Sequence, residues 1–268
     1  MGADSFAVLL EYMERELNFA TSHYNESYLD RRITARMRRT DSDDYAEYYD
    51  LVQADTAEQE ALLDSLSINV TAFFRNPSVW DGIRDVLRTL SDEQHRVEIW
   101  SAACADGREP YSLSLLAHAD RQIDESRLSI LATDISEPAL ETAREGVYQE
   151  SRTTDIDDQL SYLSSYEEFV EYDADGGTFR VQNPIKRPVT FERHDLINDR
   201  PKSGFDLVTC RNLFIYIESD AKRTMLETIA RSIRDGGYLV IGKSETIPPE
   251  LNATLDPVDN NNRIYQRI

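Results

Sequence analysis

The chain is poor in the residues from which most metal and redox centres are built. Its 268 residues include two cysteines, Cys104 and Cys210, and four histidines, His23, His95, His118 and His194. None stands at metal-ligand spacing, so neither a zinc centre nor any other metal site is expected. Lysine is equally scarce: Lys186, Lys202, Lys222 and Lys243 are the only four. With 29 basic against 50 acidic residues the net charge is -21, which repels polyanions and argues against nucleic acid as a partner. Acid excess with arginine preferred to lysine points to a halophilic source and a high-salt cytoplasm. No apolar run approaches the roughly 20 residues that cross a bilayer, so no direct membrane insertion is expected. The start, MGADSFAVLLEYMEREL, is amphipathic and acidic and lacks the basic, then apolar, plan of a signal peptide. A cytoplasmic location follows. No heptad or large apolar seam is evident, and a monomer is expected.

What is present divides into two patterns. Phe6, Leu9, Leu10, Met13 and Leu17 recur at helical spacing, as do Tyr45, Tyr48, Tyr49 and Val52, then Leu62, Leu63 and Leu66. An all-helical N-terminal domain with its linker is therefore expected over 1–75. From residue 97 apolar strands alternate with helices: VEIWSA, a helix over 109–121, RLSILATD, SEPALETARE opened by a serine cap, FDLVTC, a helix over 219–234, GGYLVIG and the final RIYQRI. Such alternation predicts a doubly wound, Rossmann-like α/β domain over 76–268 with a mostly parallel sheet. Residues 160–192 interrupt it with short strands and a hairpin signal at Asp175-Gly176-Gly177, predicting a small antiparallel β insert.

In doubly wound sheets ligands bind at the carboxyl ends of the strands. The first strand runs into WSAACADGREPYS (100–112), a turn with one glycine, Gly107, where a pyrophosphate loop would have several. The second ends at Asp134, the third at Asp195-Leu196, and the fourth at Asn212-Leu213 before Phe214-Ile215-Tyr216. Asp134 is placed either to accept from ribose hydroxyls or, with Ser136, to cap the next helix. Glu109 has a comparable second reading as a first-turn acid beside Pro110. Ahead of the sheet, INVTAFFRNP (68–77) carries Asn69, Thr71, Phe73, Phe74 and Arg75 between two helices. Either the phenylalanines plug an interface and Arg75 is solvated, or the linker offers hydrogen-bonding groups and a guanidinium to a strand-end cleft.

Taken in order and spacing, NVTAFFRN, WSAACADGREPYS, ATDIS, CRNLFIYI and RDGGYLVIGKSE resemble the motif set of the CheR-type chemotaxis methyltransferases. The resemblance runs from about Leu29 to the C-terminus. It implies a class I methyltransferase fold, S-adenosylmethionine as cofactor with S-adenosylhomocysteine as product, and chemoreceptor glutamates as substrate. It further implies that Asn69, Thr71, Arg75, Glu109, Asp134, Asp195, Leu196, Asn212 and Leu213 bind the cofactor, Glu109 near its amino-acid part and Asp134 near its ribose. Arg75 and Tyr216 match the residues proposed to act in transfer. One stretch departs from the pattern: Ala105-Asp106 and Arg108-Glu109 stand where the family often has Ser-Thr and Glu-Glu. Asp106 and Arg108 then either pair with each other or face solvent.

The chemistry agrees with a site poor in histidine. A methyl group on sulfonium is already activated, and a glutamate of pKa about 4.3 is ionised at neutral pH, so no general base is required. The task is to bring a carboxylate oxygen to roughly 3 to 3.5 Å from the methyl carbon, in line. Arg75 is suited to orient it by charge-assisted hydrogen bonds and Tyr216 to donate a hydroxyl. The segment YLDRRITARMRR opposes the overall charge with Arg31, Arg32, Arg36, Arg38 and Arg39. In the resembled family a basic helix here docks on the acidic methylation region of the receptor's cytoplasmic domain, and these five are expected to do so. A solvated face balanced by Asp41, Asp43 and Asp44 is the plainer reading. The insert's turn, YDADGGTFRV, lacks the longer glycine-spaced pattern of members that tether a receptor peptide, so no strong tether is expected. Two alternatives remain for the whole chain, a methyltransferase of this fold acting on another substrate and a non-catalytic S-adenosylmethionine-binding scaffold.

Overall fold

The computed structural model describes residues 2–17, 19–66, 71–151 and 154–268, so the predicted cofactor residue Asn69 lies outside the described residues. The apolar spacings of the first part become helices α1 (Gly2–Glu16), α2 (Glu26–Arg39), α3 (Tyr45–Ala54) and α4 (Thr56–Leu66). Asp44 caps α3 by accepting from the Ala46 and Glu47 amides. Leu9 and Met13 of α1, Leu29 and Ile33 of α2, Tyr48 and Val52 of α3 and Leu62 of α4 close into one buried cluster. Chain contacts group Met1–Ile68 with Phe214–Lys222 as one compact unit and the remainder as another.

The basic helix α2 does not present all five arginines alike. Arg31, Arg38 and Arg39 are exposed, but Arg36 is turned inward. Its Nε donates to Glu58 Oε1 at 3.0 Å, its Nη2 contacts the other carboxylate oxygen, and the buried Tyr48 hydroxyl donates to Glu58 at 2.6 Å. The expectation that Arg36 docks a partner is thereby corrected: it is a structural cation whose anion, Glu58, lies on another helix. Arg32 is half-buried, with its guanidinium 5.4 Å from the Tyr28 ring centre.

In the second unit α5 (Pro77–Glu93) leads into β1 (Val97–Ala102), α6 (Arg108–Ala119), β2 (Leu128–Asp134), α7 (Glu137–Glu145), β3 (Val147–Gln149) and α8 (Ile156–Leu160). There follow β4 (Val170–Asp173), β5 (Thr178–Val181), α9 (Asn183–Lys186), β6 (Val189–Arg193), β7 (Phe205–Cys210), α10 (Ser219–Ser232), whose residues up to Lys222 group with the helical unit, β8 (Ile233–Ile241), β9 (Leu255–Asp259) and β10 (Ile264–Arg267). The main sheet has the order β6-β2-β1-β7-β8-β10-β9, parallel except for the β10 pairings. Strands β1 and β7 are buried almost throughout, as parallel strands covered on both faces must be. The chain winds outward from β1 to β2 and β6, then returns to β7 and β8, so the topological switch lies between β1 and β7.

The small sheet, β3-β5-β4, differs from the insert read over 160–192. It draws its third strand from Val147–Gln149, and Val189–Arg193 pairs with β2 in the main sheet instead. The half-exposed alternation of VTFER reads like a hairpin strand, but the burial pattern is that of a sheet edge. Hairpin strand β9 was not expected from the sequence.

Candidate active site

Register brings the strand ends to one edge. Ala102 is level with Thr133 and with Cys210, Asp134 with Arg193, and Cys210 with Ile241. The residues that follow these positions therefore share the carboxyl edge, on both sides of the switch point.

The turn after β1 is unusual in its backbone. Ala103, Ala105 and Gly107 are all left-handed, with φ of 58°, 49° and 89°. Alanine is the smallest side chain that carries a Cβ, and such conformations persist only where surrounding bonds fix them. Two do so here: Ala105 N–H donates to Asp134 Oδ2 at 2.7 Å, and Cys104 N–H to the Thr133 carbonyl at 2.9 Å. At Gly107 a Cβ would lie 2.7 Å from the Ala143 Cβ, so glycine is needed for α6 to approach α7 as well as for its φ.

Asp134 is buried, and its second oxygen accepts from Ser136 N–H at 3.0 Å. The cap of α7 is Ser136, whose side chain accepts from Ala139 N–H. Asp134 therefore braces the first turn from the second strand. Burial pushes its carboxyl above the usual carboxylate range, against the bonds from Ser136, Ala105 and Ile135. Glu109 faces the sheet from the first turn of α6. Its Oε1 accepts from Ser101 at 2.9 Å and Thr209 at 2.7 Å, and its Oε2 lies 3.3 Å from Arg211 Nη1. Asp195, after β6, closes its own turn by accepting from the Ile197 and Asn198 amides and the Asn198 side chain. Leu196 beside it is half-buried.

After β7, Asn212 is left-handed with φ of 63°, and its N–H donates to Glu245 at 3.2 Å. The same Glu245 oxygen accepts from Gly242 N–H at 2.6 Å, and the carboxylate is buried. Asn212 and Leu213 are half-buried. Glu245 stands within the GKSE stretch, yet nothing in the spacing marked it as the brace of Asn212. Arg211 was missed too. An arginine directly following the buried strand FDLVTC is the signal that would have found it.

The linker residues Thr71 and Arg75 are half-buried, and Phe73 and Phe74 belong to the core of the sheet unit with Trp80 and Tyr148. Arg108 and Asp106 do not face solvent. They lie 3.3 Å apart, Arg108 Nη1 donates to the Thr71 carbonyl, and the guanidinium covers the Tyr148 ring at 5.1 Å. Tyr216 belongs to the helical unit: its ring packs 4.8 Å from that of Tyr28, and its carbonyl accepts from Asn25 N–H. Arg75 belongs to the sheet unit.

The donor set suits one kind of cofactor. Glu109, Asp134, Asp195 and Glu245 at the strand ends, with Asp106 paired to Arg108, outnumber the basic Arg108 and Arg211, an arrangement unfavourable to pyrophosphate and favourable to a cationic ligand with ribose hydroxyls to donate. S-adenosylmethionine, with its sulfonium and ammonium charges, fits. Among the described residues no cluster of three or more histidines, cysteines and acids is arranged to hold a metal, and no helix is long and apolar enough to cross a membrane. Cys104 and Cys210 are buried free thiols that burial pushes well above their usual range.

Fold and strand ends together define a doubly wound α/β protein with an acidic ligand edge and an appended helical unit. Residues 69–264 match the family described as CheR methyltransferase, SAM binding domain, and residues 4–67 match its all-alpha domain. A chemotaxis protein methyltransferase of Listeria monocytogenes is 34% identical over 237 residues, covering 88% of this chain and 87% of that protein. One of Borreliella burgdorferi is 27% identical over 258 residues, covering 91% and 88%. An uncharacterized 104.1 kDa protein of Rhodobacter capsulatus is 30% identical over 259 residues, 94% of this chain but 26% of that one. The chain belongs to the CheR methyltransferase family, whose members bind S-adenosylmethionine through the sheet domain.

Proposed function

We propose that this chain is a chemotaxis protein methyltransferase that transfers the methyl group of S-adenosylmethionine to glutamate carboxylates of chemoreceptor cytoplasmic domains, leaving methyl esters and S-adenosylhomocysteine. The observation that carries the reading is the match of both family domains in order, joined to an acidic edge at the switch point. The cofactor supplies an activated methyl group. Asp134 would accept from its ribose, Glu109 from its ammonium end, and Thr71, Asp195, Leu196, Asn212 and Leu213 would line it, with Asn69 contributing from outside the described residues. Arg75 would orient the acceptor carboxylate and Tyr216 would donate its hydroxyl to it; neither has to change protonation state. Arg31, Arg38 and Arg39 remain the exposed cations of α2 for an acidic receptor surface. The net charge of -21 supports work at high salt, where self-repulsion is screened.

The test is transfer of radiolabelled methyl from S-adenosylmethionine to receptor-containing membranes at low and high salt, with base-labile release identifying a methyl ester. Label should enter receptor bands, and Arg75→Ala should lower the rate by about 100-fold while S-adenosylhomocysteine binding changes far less. Base-stable label, or label only in a small molecule, would refute the substrate assignment.

A further inference from the structure

We propose that Arg211 is a positioning residue for methyl transfer, holding the backbone that carries Arg75 against Glu109. This rests on the reading of Arg75 as a transfer residue. Arg75 sits between two left-handed residues that are not glycine, Phe74 with φ of 46° and Asn76 with φ of 61°. Left-handed positions on both sides of one residue survive only where the surroundings fix them. Phe74 N–H donates to Ser112 Oγ at 3.1 Å, and a second constraint falls on the Arg75 carbonyl oxygen. It accepts from Arg211 Nη2 at 2.7 Å and from Trp80 Nε1 at 3.1 Å. Arg211 Nη2 also lies 3.4 Å from Asn76 Oδ1, and Nη1 lies 3.3 Å from Glu109 Oε2. The guanidinium covers the Trp80 ring at 5.6 Å, and its side chain is 2% exposed.

The geometry uses what distinguishes arginine from lysine. A planar fork serves two partners at once in fixed directions, whereas an ammonium on a flexible stem serves one or the other. One arm ends on the carboxylate that Ser101 and Thr209 already fix to β1 and β7. The other ends on the main chain of a residue 136 positions earlier in sequence. Arg211 thus transmits the rigidity of the switch point to the one residue of the linker expected to meet the acceptor carboxylate. This role requires contact with neither reactant.

The experiment compares the full chain with Arg75→Ala, Arg211→Lys and the double variant in the receptor-membrane assay, alongside calorimetric titration with S-adenosylhomocysteine and thermal melting. Arg211→Lys should melt within about 5 °C of the parent. It should bind S-adenosylhomocysteine within about fivefold and lower kcat by about 30-fold. In the Arg75→Ala background the same change should cost less than about twofold, because the residue it positions is gone. Equal losses in both backgrounds, or unchanged kcat in Arg211→Lys while Arg75→Ala is crippled, would overturn the proposal and leave Arg75 in place. Full activity of Arg75→Ala would overturn the transfer reading itself and the proposal with it. Should Arg211→Lys fail to fold, Trp80→Phe removes the other donor to the same carbonyl. It should lower kcat by about fivefold in the parent and by less than about twofold in Arg75→Ala; an equal loss in both would overturn the proposal.

Discussion

Replacing Glu58 by alanine tests how the helical unit is held together and separates structural from docking arginines. The carboxylate is 7% exposed and the Arg36 side chain 15%, so neither is a surface group. Removing one partner of a fully buried ion pair costs about 3 to 5 kcal/mol, and the solvent still reaching Arg36 reduces this to about 2 kcal/mol. The Tyr48 hydroxyl, on a side chain with no exposed surface, also loses its acceptor, adding about 1 kcal/mol. Glu58→Ala should therefore destabilise by about 3 kcal/mol, and Glu58→Gln, which keeps an acceptor for Tyr48, by about half as much. Urea unfolding followed by far-UV circular dichroism is the assay, because Trp80 and Trp100 both lie in the sheet unit and their emission would report that unit. With a slope of about 1 to 3 kcal/mol/M, the midpoint should fall by about 1 to 3 M. A loss under about 0.5 kcal/mol would refute the reasoning and return Arg36 to the exposed set.

Three further outcomes are expected. Gly242→Ala would place a Cβ 2.6 Å from Glu245 Oε2 and 2.8 Å from the Asn212 nitrogen, so S-adenosylhomocysteine affinity measured by calorimetry should drop by about tenfold. Burial lowers the pKa of His194 below its usual value, so the unfolded chain takes up the proton first as pH falls. Its contribution is complete above about pH 6.5 and is lost below it, and the melting temperature should fall from pH 7 to 5.5 less steeply in His194→Asn than in the parent. Reversing Arg31, Arg38 and Arg39 to glutamate should raise the receptor KM by about tenfold with kcat and melting little changed, and an unmoved KM would assign these residues to solvation.

Much of this was legible because the signals are local. Leu9 and Met13, or Tyr48 and Val52, declare their helices by spacing alone. The run FDLVTC reads as a buried strand from its composition, and Asp134 and Asn212 stand at strand ends because the strands themselves are unmistakable. What escaped depends on pairings with no local trace. Arg36 is one of five arginines in YLDRRITARMRR, and only the packing of α4 shows that Glu58 faces it. Val189–Arg193 alternates like any edge strand, and which sheet it joins is decided by the chain around it. Arg211 and Glu245 act on backbone atoms of residues far away or in strained turns, and backbone groups look alike at every position of a sequence.

The helical unit is not contiguous in the chain. Asn25 donates through its side chain to the Ile215 carbonyl, 190 residues later, and Tyr24 forms a β-bridge with Ile217. At a synthesis rate of about 5 to 20 residues per second, the ribosome delivers the second half of that contact roughly 10 to 40 s after the first. The first 66 residues must wait, incompletely dressed, while strands β1 to β7 emerge. The same discontinuity sets a rule for engineering: a chimera that exchanges helical units between relatives to redirect receptor choice has to carry residues 214–222 along with them, or it will splice one protein's Tyr216 onto another's Tyr28.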